Sequence, residues 1–419
     1  LSKRIKEAGR PVFADMHCHY PMHLLAEAPE EARPAAATVS PKVTEEAIAD
    51  RSGRPGWLEK LRAAALRFAA AQLNYRDGEW RVNLDELEEG DVRAVFSVLY
   101  QPFAEIDLDE LPGSDPEQGY FGDLLEQMDR VEAELQSIDP SGERHAIVTG
   151  VTELDAALAG GKVAFMHCVE GGFHLGGDAA EIDARVAQLA QRGVLYVTLA
   201  HLFYRGVATN APALPFMSDG AYDAVFDQPS EFGLSDLGVA VVKAMFKHRI
   251  LIDVSHMSQR ALDDTFALLA QLDDGDDPRK YPVIASHAGY RFGEQAYMLG
   301  PDTIRAIAAR DGVIGLILAQ HQLNENAGVS DPEDPRETPK TLCAHIDAIR
   351  ACIPGEANAH VAIGSDLDGF IKPTVAGIER AGDLATLRKP LEDAYPADAE
   401  AIMSGNALRV ARRILEQRG

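Results

Sequence analysis

Cysteine, basic residues and long apolar runs are all scarce in this chain. Four cysteines in 419 residues, Cys18, Cys168, Cys343 and Cys352, are too few for a disulfide framework and read as reduced thiols of a cytoplasmic protein. Lys and Arg number 40 against 66 Asp and Glu, a net charge of −26. So large an acidic excess argues against nucleic acid as a partner, because phosphate binding needs a basic patch. No window reaches the ~18–20 uncharged apolar residues of a membrane helix, so no membrane anchor is expected. The opening LSKRIKEAGR lacks the apolar stretch of a secretory signal; its start at Leu1 rather than Met is compatible with removal of an N-terminal segment. Internal repeats and low-complexity tracts are absent. The pairs Gly171-Gly172 and Gly176-Gly177 lack the Lys and Ser/Thr of a phosphate loop, and no Ser-His-Asp nucleophile elbow occurs.

What the chain does hold is a core-forming composition, 46% hydrophobic and 25% charged, arranged in a recurrent pattern. Eight short apolar runs begin at Val12, Val92, Val163, Val194, Ile250, Tyr281, Val313 and Val361. Amphipathic stretches follow at about 123–136, 179–192, 235–248, 259–272, 301–310, 340–352 and 399–417. Strands alternating with helices pair in parallel, and eight such units predict a closed (β/α)8 barrel, the TIM fold, spanning 1–419 as one decorated domain. A doubly wound open sheet is the alternative. Long connections follow the first, second and fourth strands. They include the Pro/Ala-rich Ala28 to Pro41, a helix expected over Trp57 to Leu73, Gln101 to Gln118, and Phe203 to Gly233. Loops after barrel strands lie on the C-terminal face, where these segments would shape or cover a site. The acidic excess falls in connections such as Glu105 to Glu117 and Asp273 to Asp277 and reads as a surface property, although an acidic rim would also repel anionic substrates.

Chemistry concentrates at the strand ends. The first strand closes on Asp15-Met16-His17-Cys18-His19, and alternation sends the imidazoles of His17 and His19 to one face. The third ends in His167-Cys168-Val169-Glu170, the fifth in Ser255-His256, the sixth in Ser286-His287, and the eighth in Gly364-Ser365-Asp366-Leu367-Asp368-Gly369. All converge at the mouth of a barrel. Four imidazoles and two carboxylates suit Zn²⁺, and six ligands are too many for one tetrahedral ion that must also hold water. Two zinc ions are therefore expected, bridged by Glu170, with His17 and His19 on one and His256 and His287 on the other. Such a pair activates water and polarises a carbonyl. Asp366 is then placed to take the proton from water and give it to the leaving group.

These residues resemble the membrane (renal) dipeptidase family of binuclear zinc peptidases in the amidohydrolase superfamily. In that family a His-x-Asp lies at the first strand, a bridging Glu at the third, Ser-His pairs at the fifth and sixth, and a catalytic Asp in Gly-x-Asp-x-Asp-Gly at the eighth. Gly405-Asn406-Ala407-Leu408-Arg409-Val410 is similar to its Gly-x-Asn-x-x-Arg-Val helix start. The resemblance implies cleavage of a dipeptide or related amide. It also implies that His201, at the end of the fourth strand, binds substrate and the oxyanion of the tetrahedral intermediate.

Two departures stand out. His19 occupies the position of an Asp, making the centre one charge more positive. The Arg that holds the substrate carboxylate is missing from Ala296 to Pro301, leaving Arg291 as its replacement for substrate binding. Hydrolysis of another amide, lactone or N-acyl amino acid therefore stays open, as does a non-catalytic metal-binding role on the same fold. His23, His145, His174, His248, His321, His345 and His360 have no comparable position and are expected on the surface or in structural roles. A small-molecule substrate and a homodimer complete the expectation.

Overall fold

A computed structural model describes residues 12–26, 61, 62, 65, 80–105, 119–328, 330–355, 359–371 and 373–418. Nine strands run in chain order: β1 Phe13–Cys18, β2 Val92–Leu99, β3 His145–Ile147, β4 Val163–Glu170, β5 Tyr196–Thr198, β6 Leu251–Asp253, β7 Val283–Ala288, β8 Val313–Leu316 and β9 Val361–Ile363. All neighbours pair in parallel, in the order β2-β1-β9-β8-β7-β6-β5-β4. Pairing of β2 with β4, from Ala94 opposite Ala164 to Leu99 opposite Val169, closes the ring. The barrel is thus an eight-stranded TIM barrel, and β3 is an addition to it.

The added strand has a simple physical basis. The edge of β4 that faces β5 carries ladder partners for β5 only at Val169 and Glu170, so its lower half, from Val163 to Phe165, is free to pair with His145 to Ile147. Three residues with a His at one end give no periodic signal, and the sequence reading therefore missed both this strand and the helix Val151–Ala159 after it. Every residue of β2 and β4 is buried. Parallel strands covered on both faces read as continuous apolar runs for this reason.

The outer helices fall where amphipathic periodicity places them: Tyr120–Ile138, Ala179–Gln191, Asp236–His248, Gln259–Leu272, Pro301–Ala309 and Thr338–Cys352. Three start on side-chain caps, with Asp178 accepting from Ala180 and Glu181 N–H, Ser235 from Gly238 N–H, and Ser258 from Ala261 N–H. The final helical segment opens with a wide π turn, Ala401–Gly405, before Asn406–Leu415. There Asn406 Nδ2 donates to Val361 O at 2.8 Å and Arg409 donates to Asp311 O and Ala359 O, tying the segment to the N-terminal end of β9 and its neighbours. The Ala28 to Pro41 stretch lies outside the described residues, as do most of Trp57 to Leu73 and of Gln101 to Gln118. No described helix is long and apolar enough to cross a membrane.

Candidate metal centre

Five imidazoles surround one buried carboxylate at the C-terminal ends of the strands. Glu170, at the tip of β4, is fully buried, and neither of its oxygens has a hydrogen-bond partner. Around Oε1 lie the Nε2 atoms of His17 at 3.6 Å, His287 at 3.6 Å and His256 at 3.7 Å. Around Oε2 lie those of His19 at 3.3 Å and His201 at 3.4 Å. His17 and His19 Nε2 are 3.4 Å apart, and Asp366 Oδ1 is 3.1 Å from His19 Nε2. With Zn–N bonds of ~2.0–2.1 Å, two ligands of one tetrahedral ion sit about 3.4 Å apart. Most of these separations match that edge. Three overlapping groups have ligand atoms within 4.8 Å of one another: His17, His19 and Asp366; His17, Glu170 and His287; Glu170, His201 and His256.

Strand geometry explains the convergence. His17 and His19 share a face by alternation, whereas Cys18 between them is buried on the other side. His256 and Asp366 follow β6 and β9 in left-handed backbone, with φ of 64° and 58°. Such conformations cost ~1–3 kcal/mol each and collect at sites where the fold over-determines them. Gly369 makes room for the acid, since a Cβ there would lie 2.0 Å from Asp366 Oδ1. Gly364 does the same for β7, its missing Cβ leaving space for Ser286 O.

A second layer fixes the imidazoles. Asp253, buried at the end of β6, accepts from Ser286 Oγ and Thr198 Oγ1 at 2.6 Å each, and from Ser286 N–H and Ser255 Oγ at 2.8 and 2.9 Å. Because Ser286 Oγ spends its proton on Asp253, it faces His17 Nδ1 at 2.9 Å and His287 Nδ1 at 2.8 Å as an acceptor. Both rings then carry their proton on Nδ1, and both Nε2 lone pairs point at the cluster. His201 Nδ1 contacts Glu105 Oε2, which also receives Tyr100 OH at 2.7 Å.

The electrostatics agree with a site built for cations. Burial holds the imidazoles of His256 and His287 well below their usual range, so both are neutral and ready to ligate. Burial would raise Glu170, but the His201 and His17 imidazoles beside it hold it well below the ordinary carboxylate range. Burial would likewise lower His19, yet the carboxylates of Asp366 and Glu170 push it up to about 10. Without a cation the cluster keeps a proton there, and ligation of a metal ion displaces it. Burial disfavours charge on His201, but Glu105 and Glu170 together raise it.

The residues singled out by sequence therefore meet in one place, with the exception of Arg291. Its Nε donates to Met298 O and its Nη2 to Ala296 O, each at 2.7 Å, which closes its own loop, and it does not line the cleft. His167 faces outward to Glu132 at 3.3 Å. Sequence reasoning missed Asp253 and Glu105. An acid inside the apolar run Leu251-Ile252-Asp253-Val254 was a usable signal; Glu105, in a long connection, offered none.

A parallel (β/α)8 barrel whose strand ends gather imidazoles and carboxylates is the framework of a metal-dependent hydrolase. Residues 54–418 match the model of the membrane dipeptidase family, peptidase family M19, and the chain belongs to that family as a metallo-dipeptidase-like hydrolase. An uncharacterized protein of the pqqA 5′ region of Klebsiella pneumoniae is 26% identical over 67% of this chain and 93% of its own length. An uncharacterized dipeptidase of Schizosaccharomyces pombe is 28% identical over 60% of this chain, which spans about half (53%) of that protein. Among solved structures, a metallopeptidase from Rhodobacter sphaeroides bound to a phosphinate mimic of L-Ala-D-Ala superposes with a TM-score of 0.65 at 17% identity, covering 97% of this chain and all of that one. The dipeptidase AC, of family M19, gives 0.62 at 19%, covering 86% and 96%. These likenesses carry the same fold.

Proposed function

We propose that the chain hydrolyses a dipeptide or a closely related amide, using two zinc ions held around Glu170. The observation that carries this reading is the buried Glu170 carboxylate, with both oxygens unpartnered and five Nε2 atoms turned toward it. A buried carboxylate left in that state is costly unless cations complete it. The donors are imidazole and carboxylate without thiolate, a set that suits zinc. His17 and His19 would hold one ion and His256 and His287 the other, leaving Asp366 beside them for proton transfer. When bound, the ions supply Lewis-acid activation of water and of the scissile carbonyl.

The remaining steps belong to side chains. Asp366, at the rim of the cluster and lining the cleft, takes the proton of the attacking water and delivers it to the departing amine. His201, buried but raised above its usual range by Glu105 and Glu170, donates Nε2–H to the developing oxyanion. Tyr297, whose OH donates to His287 O at 2.6 Å, and Phe370, against His201, form the apolar walls next to the reacting bond.

Hydrolysis of a different amide or a lactone, one that carries no free carboxylate, is favoured by one feature: no Lys or Arg lines the cleft among the described residues. A hydrolysis screen over dipeptides and over carboxylate-free substrates, such as dipeptide amides and lactones, with added Zn²⁺ separates the two. Turnover of dipeptides is the expected result; a fully metallated protein that cleaves neither set would sink both readings and leave a metal-binding scaffold.

A further inference from the structure

The route from the ligand cluster to solvent has two parts. A narrow neck is bounded by His201, Tyr297, Ile317, Phe370, His321 and Gln322. Beyond it opens a vestibule of about 540 Å³, walled on one side by 212–220 from the long connection after β5 and on the other by Glu294, Gln295 and Glu325. The extended connection thus builds one wall of the approach.

The charged side chains that line this vestibule are acidic, although the Arg291 guanidinium behind the wall is close enough to Asp219 to offset part of its charge. Asp219, Glu294 and Glu325 line it, and no Lys or Arg does so among the described residues. At the junction of neck and vestibule stands Gln322, only 5% exposed, whose Oε1 has no hydrogen-bond partner. A buried acceptor without a donor is uncommon and calls for one from a ligand. Beside it, both ring nitrogens of His321 are also unpartnered, and burial pushes this imidazole down to about 4, so it adds no positive charge at neutral pH. Histidine and glutamine here follow β8 on the short helix Gln320–Leu323.

We infer that this vestibule selects amide substrates carrying a basic side chain, of the lysine or arginine class, on the part that lies farthest from the ligand cluster. The cation is drawn chiefly by Glu294 and Glu325, and its N–H groups supply the donor that Gln322 Oε1 lacks. An acidic side chain in the same place meets the like charges of Glu294 and Glu325. The inference rests on the amide-hydrolase reading above and adds the class of substrate to it. Across an open, largely aqueous vestibule, Glu294 and Glu325 at short range, with Asp219 partly offset by Arg291, favour a basic over an isosteric neutral side chain by about threefold at low salt, and disfavour an acidic one by a similar factor.

The test uses the zinc-loaded full chain. Alanyl dipeptides with lysine, norleucine or glutamate at the variable residue, in either order, are compared by kcat/KM at low and high salt. Phosphinate dipeptide mimics bearing the same three side chains are compared by calorimetric binding. The expected order in both is lysine, norleucine, glutamate, with the spread shrinking at high salt and in Glu294→Gln. Equal values, or glutamate best, would overturn the inference while leaving hydrolysis intact. If no dipeptide is cleaved yet the phosphinates bind in the expected order, the hydrolytic reading falls and the charge selection stands. Phosphinates that bind in no such order, or fail to bind, overturn the selection.

Discussion

Asp253 touches no ligand atom of Glu170's cluster, yet it is predicted to control how tightly that cluster holds metal. Its Oδ2 receives the hydroxyls of Ser286 and Thr198, and its Oδ1 receives Ser286 N–H, Ser255 Oγ and, at 3.1 Å, Ser255 N–H. Asp253→Asn is almost isosteric, and its carbonyl oxygen can retain the Oδ1 partners. Its amide must then face Thr198 and Ser286, so that donor meets donor until both hydroxyls rotate. Hydrogen bonds to a charged acceptor contribute ~1.5–3 kcal/mol each. Losing two, with part recovered by rotation, lowers the stability of the metal-free fold by about 2–4 kcal/mol. Rotation of Ser286 Oγ also removes an acceptor shared by His17 and His287, loosening the tautomer and aim of two rings at once. Outer-layer changes of this kind cost about 10–100-fold in metal affinity, or ~1.4–2.8 kcal/mol. Zinc titration against a chromophoric chelator reads the affinity, and denaturant melts of the metal-free protein read the stability. If Asp253→Asn and Ser286→Ala both bound zinc within about twofold of the unaltered chain, the positioning argument would be refuted, whatever the melts showed.

Asp366→Asn should lower kcat by about 10²–10⁴-fold with metal content unchanged, since general acid–base catalysis has that worth; retained turnover in a metallated variant would remove the proton-transfer role. Elemental analysis of active protein should return about two metal ions per chain, and a count near one would dismiss the Glu170-bridged pair. Glu105→Gln takes away the carboxylate that helps to raise His201, so His201 loses its proton at lower pH than before. Stabilisation that needs the protonated ring is present below that pKa and lost above it. The alkaline limb of the kcat profile should therefore move to lower pH, and kcat should fall about tenfold; an unmoved limb would count against His201 as the oxyanion donor.

Much of this protein is legible in one dimension. Local signals suffice where a property depends on neighbours in sequence: apolar runs mark the eight barrel strands, and amphipathic periods mark the main outer helices. Alternation puts His17 and His19 together, and acids or imidazoles at five strand ends point to a shared mouth. Other features depend on which strands become neighbours, and the ring had to close before they existed. The free lower edge of β4 that accepts β3 appears only once β5 pairs with its top. Asp253 becomes a hub only when β5, β6 and β7 lie side by side and bring it Thr198, Ser255 and Ser286. The pairing of Glu105 with His201 spans 96 positions, and Arg291 turned inward on its own loop rather than toward the cleft. Sequence determined the fold class and the chemistry of the donor set, because both follow from residue type and period; tertiary structure decided which groups orient those donors and what charge a substrate meets on entry, because those are matters of distance between segments that the chain keeps far apart.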